Sequence, residues 1–69
     1  MMYRIQVIEV YRTAISLIGI YGPAARNFAD RRANLLLGQG DATGALIWRT
    51  FGEAVDELTR PPRPGETIH

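Results

Sequence analysis

Sixty-nine residues carrying a formal net charge of +1 make one small domain that is neither a polycation nor a polyanion. The absence of cysteine excludes a disulfide framework and a thiolate zinc site, two common staples of chains this short. All eight basic residues are arginine, dispersed and nearly balanced by seven acids, so no basic footprint for nucleic acid emerges.

The residues predict an all-α chain. It is a small three-helix bundle at about 4–21, 23–37 and 42–60, forming one domain over 1–60, followed by a flexible Pro-rich C-terminal tail over 61–69. In helix one, Val7, Val10, Tyr11, Ala14, Leu17, Ile18 and Tyr21 share one side of a helical wheel. Ile8 and Ile15 widen that side to an arc of roughly 180°. Gln6, Glu9, Arg12, Thr13 and Ser16 lie opposite. A strand over Tyr3 to Val10 competes, because the stretch is rich in β-branched residues. It has no second strand to satisfy its backbone except in a swapped dimer.

Gly22-Pro23 ends helix one and opens helix two. Glycine tolerates the positive φ that follows a helix end, and proline at the first helical position gives up an N–H that had no partner. Helix two gathers Ala25, Phe28, Ala29, Leu35 and Leu36 on one face, with Arg32 projecting into that apolar arc. Either the stem of Arg32 packs while its head reaches water, or the guanidinium is held by Asp41 or by free helix carbonyls. Gly38-Gln39-Gly40 reverses the chain, with Gly38 the expected C-cap and Asp41 the expected N-cap of helix three. That cap contributes about 1 kcal/mol.

Helix three carries Gly44, Ile47, Trp48, Phe51, Ala54, Val55 and Leu58 on a stripe of roughly 120°. Its opposite face pairs Arg49 with Glu53 and Asp56 with Arg60 at i,i+4 spacing. Helical side chains lean toward the N-terminus, so the Trp48 ring is expected over Gly44. The predicted core is Val7, Tyr11, Ala14, Ile18, Phe28, Leu35, Leu36, Trp48, Phe51, Val55 and Leu58. After Arg60, consecutive prolines stop the helix, and Pro61 to Pro64 matches only the bare PxxP spacing.

Catalysis lacks parts. The single histidine is His69, Ser16 has no base near it, and no two carboxylates share an apolar setting that would split their pKa values. The turn Gly38-Gln39-Gly40-Asp41 has neither the preceding strand nor the Lys-Ser/Thr of a phosphate-binding loop. The expectation is therefore no enzyme, no cofactor, no metal and no small-molecule substrate. The uncharged run from Thr13 to Ala25 is interrupted by Gly22-Pro23 and falls short of the ~20 apolar residues of a membrane span. No targeting segment is visible, so the cytoplasm is the default compartment.

A protein-interaction module fits better. Helix one is apolar over more than one neighbour covers, although packing against both other helices would also use that arc. Tyr3 and Tyr11 add rings with polar tips, and Leu37 and Leu46 stand off their main faces. These four are the candidate interface, with a homodimer or another protein as partner. The alternative is a small nucleic-acid-associated regulator. It is disfavoured because the third helix opens with core residues rather than base-reading ones.

The sequence Tyr21-Gly22, Arg32 with Leu35, Gly40-Asp41, Gly44, Trp48, Val55 and Leu58 resembles a family of small alphaproteobacterial proteins of unknown function. The resemblance spans about Tyr21 to Arg60. Where that family often has His-Gly, this chain has Tyr21-Gly22. The resemblance implies a short helical cytoplasmic protein and no activity, cofactor or site. The place of Arg32 in that frame favours a held guanidinium, and the residues themselves make Gly22, Pro23, Arg32, Asp41, Gly44 and Trp48 the expected structural positions.

Overall fold

The computed structural model of the protein describes residues 6–60. Those residues are all-helical, with no strand among them. Helix α1 is Val7–Tyr21, a 3-10 turn covers Gly22–Ala24, α2 is Ala25–Gly38 and α3 is Ala42–Thr59. Residues Val7 to Val10 are helical, which removes the strand alternative for that part. Arg4, Tyr3 and the Pro-rich stretch over 61–69 lie outside the described residues. No described helix is long and apolar enough to cross a membrane.

Each helix end has a chemical cause. Gly22 sits at φ 57 and ψ −130 and donates its N–H to the Ile18 carbonyl. An L side chain rarely adopts that conformation. The proline that follows continues as a 3-10 turn, so α2 proper begins two residues after Pro23 rather than at it. Gly22→Ala is expected to destabilise the domain by about 2 kcal/mol, read as a lower urea midpoint at unchanged m-value. Nothing stands within 4 Å of a Cβ built on Gly22, so this cost belongs to the backbone.

At the other end of α2 the expected cap at Gly38 is corrected. Gly38 is the last helical residue, and the positive φ of 85° belongs to Gly40. Asp41 N–H donates to Leu36 O at 2.8 Å and Gly40 N–H to Leu37 O at 3.0 Å. These are the two bonds of a Schellman motif, which ends the helix by satisfying its last carbonyls. The Asp41 carboxylate then accepts from Gly44 N–H at 2.8 Å and starts α3. A Cβ on Gly44 would meet Asp41 Cγ at 2.9 Å. Gly44 therefore clears space for the capping carboxylate.

Helices α2 and α3 run antiparallel, because Arg26 reaches Gly52 and Asp56 while Arg32 reaches Trp48. Their contact is made by small residues. Ala25, Ala29 and Ala33, spaced four residues apart, form a ridge on α2, and Ala45 and Gly52 face inward from α3. Helix α1 lies across α3, with Val10, Ala14 and Leu17 against Ala54 and Val55. No large side chain is fully buried.

The predicted core is corrected accordingly. Ala14 and Val55 are buried, while Tyr11, Ile18, Phe28, Trp48 and Phe51 pack against the core from its rim. Val7 is 72% exposed, and Leu35 and Leu58 are also exposed. Leu36 is half-buried. Alanine fills the middle because two helix backbones that approach closely leave no room for leucine between them.

Candidate interaction surface

Most of the rim is aromatic. Tyr21 stacks on Phe28 with ring centroids 4.2 Å apart. Phe28 meets Trp48 edge-on at 5.7 Å, and Trp48 meets Phe51 edge-on at 5.2 Å. Both edge-on pairs have the quadrupole-favoured geometry. The Arg32 guanidinium lies 5.9 Å from the Trp48 ring centre. Neither carboxylate nor carbonyl holds it among the described residues. Of the two expectations for Arg32, the head reaches the surface, and the aromatic face is its partner; such contacts contribute about 0.5–1 kcal/mol when exposed. Phe28, Arg31, Arg32 and Leu35 line a shallow depression of about 190 Å³ beside this run.

A second groove, about 220 Å³, lies between α1 and α3 and is lined by Val7, Val10, Tyr11, Thr50, Glu53 and Glu57, among others. Across it the Tyr11 hydroxyl donates to the Glu57 carboxylate. That hydrogen bond, together with the negative charge of Glu57, raises the Tyr11 phenol above its ordinary 10.0. A raised folded-state value favours the neutral phenol. The bond's contribution is therefore present below pH 10 and is lost as pH rises through the higher folded value. Phenolate absorbance should show a late-titrating tyrosine in the folded protein, and Glu57→Gln should bring it back toward 10; titration unchanged by that variant would dissolve the link.

Two residues that hold the hairpin escaped the sequence pattern. Arg26, half-buried, donates from Nε to Asp30 at 3.1 Å and from Nη1 to Asp56 at 2.8 Å and to Gly52 O at 3.2 Å. The Asp30 half of this clamp was legible as an i,i+4 pair, but Asp56 is thirty residues away. Asp56 is thus engaged with Arg26, and neither the expected Asp56–Arg60 pair nor the Arg49–Glu53 pair forms among the described residues. Gly52 is buried beneath the clamp, where a Cβ would stand 3.2 Å from Arg26 Cδ and 3.4 Å from Ala29 Cβ.

The remaining positions divide clearly. Gly22, Pro23, Asp41 and Gly44 shape helix ends, and Trp48 and Arg32 belong to the aromatic rim. Of the candidate interface residues, Leu37 and Leu46 are exposed, Tyr11 is half-buried in the α1–α3 groove, and Tyr3 is outside the described residues. The sequence arc of α1 also contains Ile8 and Ile15, which are 61% and 59% exposed. No group of three metal-ligating side chains is clustered among the described residues. No family model matches this chain, nor does any curated protein or solved structure.

Proposed function

We propose that this chain is a non-enzymatic helical interaction module that associates with itself, a cytoplasmic member of the small alphaproteobacterial family its sequence resembles. The three helices act as a single bundle unit, and its outer apolar surface meets protein. One observation carries this. The interior is made of alanine, glycine, valine and one leucine, while Val7, Ile8, Ile15, Ile20, Leu35, Leu37, Leu46 and Leu58 stand exposed. Scattered surface leucines are ordinary, but a domain that fully buries none of its described isoleucines has left much of its transfer free energy unused. Small chains commonly recover that energy by forming symmetric dimers.

Light scattering from micromolar to submillimolar protein, with and without duplex DNA, tests the proposal. A mass that climbs with protein concentration and ignores DNA is expected. A monomer at every concentration that binds duplex DNA in a salt-sensitive way would overturn it in favour of the nucleic-acid alternative.

A further inference from the structure

Helix α1 carries two apolar stripes rather than one. Val10, Ala14, Leu17 and Tyr21 step by four, three and four residues along the stripe that faces the rest of the domain. Ile8, Tyr11, Ile15 and Ile18 step by three, four and three along a second stripe. On a wheel of about 100° per residue the second stripe is centred roughly 100° away from the first. Its spacing is that of the a and d positions of a heptad seam, which packs knobs into holes against another helix. Among the described residues that seam is only partly covered: Ile8 and Ile15 face water, and Tyr11 and Ile18 are half-buried where they pack against the core.

The two edges of the seam differ in charge. On one side the groove between α1 and α3 carries Glu53 and Glu57. On the other side, about 40–60° past the isoleucines on the wheel, is Arg12. Arg12 forms no ion pair among the described residues. Consider two copies laid face to face. A two-fold axis parallel to α1 sets the Arg12 edge of each copy against the Glu53 edge of the other. A two-fold axis across α1 sets Arg12 against Arg12 and glutamate against glutamate, which is repulsive. The same parallel arrangement stacks Ile8 on Ile8 and Ile15 on Ile15, the layering of a parallel helix pair.

Resting on the self-association proposed above, we infer that a second copy of this chain docks on the Ile8–Tyr11–Ile15–Ile18 seam with the two α1 helices parallel. Arg12 of each copy lies at the acidic edge of the other. Fifteen residues of helix span roughly 22 Å. A footprint one helix wide and of that length is below the ~800 Å² per partner of a standard interface, so the dimer is a dissociating one. Its assembly is visible as a concentration-dependent mass.

Sedimentation equilibrium of the full chain tests the seam, with circular dichroism confirming that each variant remains helical. Ile15→Glu is expected to weaken the dimer at least about tenfold, because it sets two like charges together in the centre of the contact. Asn34→Glu, on an exposed polar position of α2 off the seam, should leave the dissociation constant unchanged. Arg12→Glu should weaken the dimer severalfold at low salt, and adding Glu53→Arg to it should restore the wild-type value within about threefold. A wild type that dimerises while Ile15→Glu dimerises equally well would overturn the seam and leave self-association standing. An Arg12→Glu variant no weaker than wild type, or one that Glu53→Arg fails to rescue, would overturn the parallel order. A wild type that remains monomeric throughout would overturn the proposal and the self-association on which it rests.

Discussion

Replacing Gly52 with leucine is expected to cost about 3 kcal/mol or more, enough to leave much of the chain unfolded at room temperature. Gly52 is buried against α2, and even a single methyl there would stand 3.2 Å from the Arg26 side chain. Leucine adds three further carbons in the same direction. The Arg26 clamp would have to leave Gly52 O and Asp56, and Ala29 would have to move with the α2 backbone. Gly52→Ala separates crowding from the other effects of glycine. Alanine gains about 1 kcal/mol of helix propensity and needs only a few tenths of an ångström from a flexible arginine stem. It should therefore lie within about 1 kcal/mol of wild type. Urea denaturation of both variants decides the matter. A leucine variant as stable as the alanine one would mean that the hairpin spreads at little cost.

Trp48→Ala is expected to be the next most damaging change, at about 3 kcal/mol. The indole is only half-buried, which reduces its transfer term below that of a fully buried tryptophan. It is also the middle member of the run Phe28–Trp48–Phe51, with edge-on contacts to both neighbours, and it supplies the face beneath Arg32. Removing it breaks both edge-on pairs, each worth about 0.5–1.5 kcal/mol beyond its area, and leaves Phe28 and Phe51 without a common partner. In a domain of this size the melting temperature should fall by about 15 °C. Trp48→Phe should recover most of the loss, since one ring still spans the gap. If Trp48→Ala melted within a few degrees of wild type, the rim aromatics would be surface decoration on an alanine core that stands alone.

The helix punctuation was plain in the sequence. Gly22-Pro23 and Gly38-Gln39-Gly40-Asp41 act through local backbone chemistry, and the helices change direction where those residues stand. The inward direction of each helix was much harder to find. Helix α2 has Ala25, Ala29 and Ala33 on one flank and Phe28 and Leu35 on the other. A wheel weighted by hydrophobicity points toward the larger residues. Close approach of backbones selects the smaller ones, and that selection depends on a partner the wheel does not contain. The same limit hid Gly52, which resembles any helical glycine until Ala29 is placed opposite it. Arg26 lies outside the apolar arc on a wheel, yet its stem crosses the hairpin seam. The breadth of α1 was legible as an arc of roughly 180°. The structure divides that arc into a stripe the domain uses and a stripe it leaves open.

Asp41 is both the last hydrogen-bonding residue of the α2 terminus and the first of α3. The reversal therefore contains no slack. Exchanging α3 between two chains would require Gly40 to leave its positive φ and Asp41 N–H to release Leu36 O, so the α2 terminus would lose its cap. Domain swapping through this connection would therefore carry the cost of the α2 cap. A dimer of the proposed kind would join closed hairpins, each with its own α2 and α3, through their surfaces rather than by traded helices.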